Sequence, residues 1–303
     1  MRTRIYAITL AMVSLTMLTN SCIIQVQKHE PKPKTEQTDF YPIPPLAPDS
    51  LEFGGEMIHL DREDLVERLD RELMSVTYNQ ITTLLILRRA GKIFPRIEPI
   101  LRKHGIPDDL KYLAVIESSL NPAAHSRAGA AGLWQFMPVT AVEYGLEISP
   151  FVDERYNIEK ETEVACEYLK RAHERFGDWM TTAASYNAGM GGIGRRLNEQ
   201  LAENGMDLWL VEETSQYMFR LISAKMLFDN PEDFGFRVTE KDRYPYKQPK
   251  IRLSVDYPIA DLPTFAKENN CPYVALRRAN LWIRGDALPN PTHKRYTIII
   301  PQE

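Results

Sequence analysis

A chain of 303 residues with 44% apolar side chains can bury one large core and still carry a small module beside it. Its formal net charge of −4, with no basic stripe, argues against nucleic acid as a partner. Three cysteines are too few for a disulfide framework or a zinc site, so Cys166 and Cys271 are expected to be separate thiols, with one interdomain bridge as the alternative.

At the N-terminus Arg2 and Arg4 precede an apolar stretch, Ile5 to Leu18, which is too short for a membrane span but suits a signal peptide. It ends in Leu18-Thr-Asn-Ser-Cys22, a pattern that resembles a bacterial lipoprotein signal. On that reading residues 1–21 are removed and Cys22 is lipidated, and Ile23 suits sorting to the periplasmic side of the outer membrane. Thr19 stands where leucine is usual, so plain secretion or a soluble periplasmic protein stays open. Residues 22–50, rich in Pro, Lys, Glu and Thr, read as an extended tether.

Residues 51–105 read as an N-terminal helical extension, with Leu65, Leu69 and Leu73 at helical spacing and an apolar Ile81–Leu87. Pro95 and Pro99 predict a break within Ile93–Leu101, giving two or three helices. Pro107-Asp-Asp109 then reads as a helix start and Asn121-Pro122 as its stop. Leu110, Leu113, Ala114 and Glu117 fall at i, i+3, i+4 and i+7, which places a carboxylate on the apolar stripe. Such a group either pairs with Arg or Lys or raises its pKa, and a raised pKa suits a general acid at neutral pH.

Next comes Ser126-Arg-Ala-Gly-Ala-Ala-Gly-Leu-Trp-Gln-Phe-Met-Pro138, whose small residues let backbone approach a ligand. Trp134 and Phe136 can stack on a sugar or fill a core, and Gln135 both donates and accepts. Ile158 to Phe176 is a long amphipathic helix with Ala165, Leu169, Ala172 and Phe176 in phase, closed by Gly177, and Asp178 caps the next helix. His173 in that helix has no partner set that would make it a ligand. Ala184-Ser-Tyr-Asn-Ala-Gly-Met-Gly-Gly-Ile-Gly194 reads as a helix end running into glycines. Glu213-Thr-Ser-Gln-Tyr217 opens a helix that continues to about Phe228.

Residues 231–250 read as a linker and 251–303 as a small β-α-α-β module. In it Ile251–Val255 and Arg295–Ile300 are strands, and the segments from Asp261 and from Tyr273 are short helices.

The Glu117-Ser118 pair, Gly132-Leu-Trp-Gln135, the Tyr186-Asn-Ala-Gly189 signature and Glu213-Thr-Ser-Gln-Tyr217 resemble, in order and spacing, the lytic transglycosylase family, most closely its membrane-bound D-type branch. Ser185 stands where the family has alanine. The C-terminal module resembles a lysin-motif (LysM) domain on its Leu276-x-x-x-Asn280 step and final Ile300-Pro301. It is degenerate, because Ile259-Ala-Asp-Leu262 replaces the usual Gly-Asp-Thr opening.

The resemblance implies a mainly α fold: a lysozyme-like helical catalytic domain over 106–230, the helical extension before it and a small α+β LysM-like module after it. It implies cleavage of the β-1,4 bond between N-acetylmuramic acid and N-acetylglucosamine in peptidoglycan without water, leaving a 1,6-anhydro end. Glu117 would act first as acid and then as base. Ser126 and Gln135 would hydrogen-bond the glycan, Ser118 would belong to the same site, and Met137 and Tyr186 would wall the sugar subsites. Asn187 and Tyr217 would position the substrate acetamido group or Glu117, and Glu213 would orient the site. The partners implied are glycan strands and, through the lipid anchor, a membrane; no cofactor, metal or nucleic acid is expected, and the chain would act as a monomer. Two alternatives stay open: a goose-type lysozyme-like hydrolase, and a non-catalytic cell-wall-binding protein.

Overall fold

The N-terminal extension opens with strands, not with the helix its position suggested. In the computed structural model, which describes residues 42–302, β1 (Ser50–Phe53) and β2 (Glu56–His59) form an antiparallel hairpin. Gly54 and Gly55 make its turn at φ +64 and +87, backbone that a two-residue hairpin needs. The expected signal peptide, the lipidation site Cys22 and most of the expected tether lie outside the described residues. Among the described residues no helix is long and apolar enough to cross a membrane.

Helix α1 (Glu63–Tyr78) buries Leu65, Leu69 and Leu73 along one face. Helix α2 (Gln80–Lys103) then runs unbroken through Pro95 and Pro99, where a break was expected. An interior proline costs a helix about 3 kcal/mol. Both prolines sit on the exposed face, while Leu87, Ala90, Ile93, Phe94, Ile97 and Leu101 form a buried stripe. Burying each large side chain of such a stripe stabilises by about 1.5–3 kcal/mol, so packing outweighs the lost hydrogen bonds.

A 3-10 turn over Asp108–Lys111 leads into α3 (Tyr112–Ser118). This helix is shorter than the sequence suggested, because Ser119 and Leu120 both turn left-handed, at φ 52 and 55. The core continues with α4 (Pro138–Glu143), α5 (Ile158–Phe176), α6 (Trp179–Ala188), α7 (Met190–Gln200) and α8 (Glu212–Asp229). Helix α8 packs against α1, α3 and α6, and α5 against α2 and α6. The ends of α5 follow its patterning: Asn157 caps the Lys160 N–H, and Gly177 closes the helix at φ 83. Asp178 then accepts the Thr181 N–H at 2.7 Å to cap α6. Gly191, Gly192 and Gly194 lie inside α7, not beyond a helix end. A Cβ on Gly194 would stand 2.4 Å from the Arg175 guanidinium, so glycine there lets α7 approach α5.

The C-terminal module has the expected order: β3 (Ile251–Val255), α9 (Leu262–Glu268), α10 (Tyr273–Ala279) and β4 (Tyr296–Ile300). β3 and β4 pair antiparallel with Ile251 opposite Ile300. Buried Asn280 ties α10 to β4, donating to Leu276 O and Ile299 O and accepting the Ile299 N–H at 2.8 Å. Cys166 lies buried in the helical core and Cys271 buried in the module.

Module and core are joined by backbone as well as side chains. Asp153 N–H donates to Trp282 O, and Arg284 N–H to Phe151 O, each at 2.8 Å. Ala131, Val152 and Tyr156 share one apolar cluster with Trp282, Ile283 and Tyr296. The connection between them also packs on α2: Tyr244 N–H donates to Arg88 O, and a side chain on Gly91 would meet Tyr244 O at 2.9 Å. The fold is therefore mainly α with a small α+β module, as the sequence indicated.

Candidate active site

Glu117 projects from the last turn of α3, whose Leu110, Leu113 and Ala114 neighbours are fully buried. The residue is partly accessible, but its carboxyl group is closely surrounded by protein. Its hydrogen-bond partner is neither Arg nor Lys: the Tyr217 hydroxyl of α8 donates to Oε1 at 2.6 Å. Burial pushes this carboxyl up to about 7. The Tyr217 hydrogen bond and the Arg220 charge pull it down, and the negative Glu213 adds to the rise. A carboxyl raised toward neutrality suits an acid that must donate a proton and then accept one.

The glycine-rich segment packs beside this helix as a tight loop, with Ala131 and Phe136 exchanging backbone hydrogen bonds at 3.1 Å. Two buried charged residues that the sequence reading passed over hold it. Glu161 of α5 accepts the Leu133 and Trp134 N–H groups at 3.1 and 3.2 Å. Its burial pushes it well above the usual carboxylate range, against the pull of those two amides. Arg155 pairs with Asp153 at 2.8 Å and donates to Gly129 O and Phe136 O, pinning both sides of the loop. Gly132 is needed where these groups meet, since a Cβ there would lie 1.8 Å from Arg155 O. Glu161 falls four residues before Ala165 on the apolar face of α5, the same signal that singled out Glu117.

Held this way, Gln135 adopts a left-handed φ of 53, uncommon for a residue with a side chain. Its amide donates to Gly132 O at 2.8 Å. Trp134 and Phe136 are buried and fill the core, with the Trp134 indole donating to Thr162 at 2.9 Å. Tyr186 of α6 donates to Trp134 O at 2.9 Å and packs edge-on against Phe136 and Tyr168. Burial, and then the Glu117 charge, push the Tyr186 phenol well up. Asn187 accepts a hydrogen bond from Thr214 at 2.8 Å, joining the end of α6 to the start of α8. Gln135, Met137, Tyr186 and Asn187 line one groove of about 470 Å³ together with Tyr144 and Tyr168. Glu117 is not among the residues lining that groove, and its charge acts on Tyr186, which is.

Three other expected site residues are engaged differently. The Ser118 hydroxyl donates back into its own helix, to Ala114 O at 3.0 Å. Ser126 Oγ accepts the Ala130 N–H at 3.0 Å and so caps the loop. Glu213 is exposed in the first turn of α8 and reaches Glu117 only through its charge. Ser185, the departure from alanine, satisfies its hydroxyl within α6 by donating to Thr182 O. His173 stacks on Trp179 and lies 3.3 Å from Glu56, away from the groove.

The helical core thus sets a buried carboxyl raised toward neutrality in the same region as an aromatic-lined groove. Residues 96–207 match the family model described as Transglycosylase SLT domain, and residues 251–303 match the Soluble lytic transglycosylase C-terminal LysM-like domain. The chain therefore carries an SLT transglycosylase domain followed by a LysM-like C-terminal domain. It is 32% identical over 253 residues to the membrane-bound lytic murein transglycosylase D of Escherichia coli K12, covering 80% of this chain and 54% of that protein. The chain thus spans about half the length of that relative. Among solved structures, the 70 kDa soluble lytic transglycosylase of Escherichia coli is similar at 23% identity and a TM-score of 0.38, over 48% of this chain and 27% of that one. A lytic transglycosylase of Pseudomonas aeruginosa is similar at 22% and 0.37, over 50% of this chain and 26% of that one.

Proposed function

We propose that the chain is a peptidoglycan lytic transglycosylase with Glu117 as its acid and base. The observation that carries this reading is the Glu117 carboxyl, raised to about 7 by burial and hydrogen-bonded through Oε1 to Tyr217. The SLT domain match and the murein transglycosylase relative support the substrate class.

With Oε1 engaged by Tyr217, Oε2 carries the proton. Glu117 gives that proton to the oxygen between N-acetylmuramic acid and N-acetylglucosamine, and the bond to C1 breaks as positive charge develops there. The acetamido group of the muramoyl sugar shields that centre, a substrate-assisted route that needs one protein carboxylate instead of two. Glu117, now anionic, takes the proton of the same sugar's C6 hydroxyl as its oxygen attacks C1. The product is a 1,6-anhydro ring, water is not consumed, and Glu117 ends protonated.

Gln135, Met137, Tyr186 and Asn187 hold the sugars along the groove they line. Ser118 and Ser126 belong to the framework that shapes the acid's helix and the loop, a role their hydrogen bonds support. Glu213 tunes the acid through its charge. The protein acts as a monomer in the cell envelope. Its basic, apolar N-terminal run ending at Cys22 supports a lipid anchor, with sorting to the outer membrane. Mass spectrometry of the N-terminal peptide from membranes tests this: a diacylglyceryl-modified Cys22 is expected, and an unmodified Cys22 opposes it.

Glu117→Gln tests the enzymatic reading. Lysis of purified sacculi should vanish while sedimentation with sacculi persists. A variant that lyses at wild-type rate removes Glu117 from the chemistry, and a wild type that binds without lysing favours the binding-protein alternative.

A further inference from the structure

A crevice of about 420 Å³ lies away from Glu117, where α2, the 231–250 connection and the C-terminal module meet. Lys92 and Arg96 of α2, Arg252 of β3 and Arg278 of α10 line it, with Tyr244 and Tyr246 of the connection. Glu159 is the one acidic residue in its described lining, and Arg96 already holds both Glu159 oxygens, at 2.9 and 3.0 Å. Among the described residues the side chains of Lys92, Arg252 and Arg278 make no hydrogen bond or ion pair. Desolvation, then the Arg96 and Arg278 charges, lower the Lys92 ammonium from its ordinary value. The fold thus gathers mutually repelling cations around a cavity, in a chain whose net charge is −4.

Unpaired like charges at a cavity wall carry a cost that an anionic occupant relieves. N-acetylated glycan is largely uncharged and gives no reason for such a cluster. The peptide attached to each muramoyl sugar is different, with free carboxylates on a short, partly apolar backbone. Guanidinium groups match carboxylates in bidentate geometry, and tyrosine and proline surfaces suit an extended peptide. The volume lies within the range of small-ligand sites. We propose that this crevice binds the carboxylate-bearing peptide stem of peptidoglycan, with Lys92 and Arg278 on its carboxylates. The proposal rests on the peptidoglycan reading above. It gives the contact between core and module a role: the strand is gripped by its peptides at a place separate from the cutting groove.

The test is calorimetric titration of the full chain carrying Glu117→Gln with a free stem tetrapeptide, alongside the same peptide with its carboxylates amidated. The acid peptide should bind, more weakly as salt is raised, and the amidated one should not. Adding Arg278→Glu or Lys92→Glu should weaken binding at least tenfold, and Arg278→Lys should restore part of it. Lys92 and Arg278 are exposed, and an unchanged thermal melt checks that the variants fold. Equal binding by the charge-reversed variants, equal binding of the amidated peptide, or no binding of the acid peptide overturns the proposal. So does saturation of the crevice by inorganic phosphate or phosphatidylglycerol vesicles with no peptide bound. If the wild type releases no anhydro product but the peptide still binds, the catalytic reading fails and this one stands.

Discussion

Glu117 and Tyr217 are a hundred residues apart in sequence and share one short hydrogen bond. Tyr217 favours the charged form of the acid, so its removal should raise the Glu117 pKa above its present value of about 7. Tyr217→Phe should therefore move the alkaline limb of the kcat/KM profile to higher pH while lowering kcat; a limb that stays or moves down would contradict the assignment. The same pKa has a consequence for stability. Folded Glu117 holds its proton more tightly than the open chain, about 7 against 4.5, so its stabilising contribution is complete below 4.5 and is lost as pH rises through 7. The loss is at most on the order of 3 kcal/mol. Glu117→Gln, which cannot ionise, should gain stability relative to wild type between pH 5 and 8.5 in urea denaturation. Helical phase in the sequence puts Glu117 on an apolar face, and it carries equal information about Glu161, which also sits on one. Ser118 and Ser126 each make a local backbone hydrogen bond that the motif does not reveal, and each hydroxyl keeps further hydrogen-bonding capacity.

At the scale of elements, the glycine-rich loop depends on α5 more than on its own sequence. Glu161→Ala would leave two buried N–H groups without partners, each costing about 1–3 kcal/mol. Chemical denaturation should show a loss of about 2 kcal/mol or more, and kcat/KM should fall because Gln135 and the Tyr186 anchor at Trp134 O both lose their support. Glu161→Gln, which keeps an acceptor, should recover part of both. Two helix boundaries were legible in advance, the close of α5 at Gly177 and the cap of α6 at Asp178, because capping is local chemistry. The uninterrupted α2 was not, since its two prolines argue locally against a helix that only the buried stripe sustains. The β1–β2 hairpin was missed although Gly54-Gly55 is a turn signal, because flanking strands of four residues are too short for a clear alternation.

Across the whole molecule, composition and motif order pointed to a helical core and a small module but not to their contact. The bridging groups are backbone amides and carbonyls near Phe151–Asp153 and Trp282–Arg284, which leave no compositional trace. Lys294 and Tyr296 of the module also both reach Glu147 of the core, at 2.6 and 2.9 Å. Core and module should therefore unfold together: scanning calorimetry should give one transition, and Trp282→Ala should lower it as a unit, by about 3 kcal/mol for a buried aromatic of that size. Two separated transitions would mean that the shared cluster does not couple them.

The central claim is one acid working twice without water, and digestion of purified sacculi in H2(18)O tests it most directly. Mass spectrometry of the released fragments should show 1,6-anhydro-N-acetylmuramic ends with no 18O incorporated, and none of these fragments with Glu117→Gln. Reducing-end muramic acid carrying 18O would instead make the protein a hydrolase and would contradict the account.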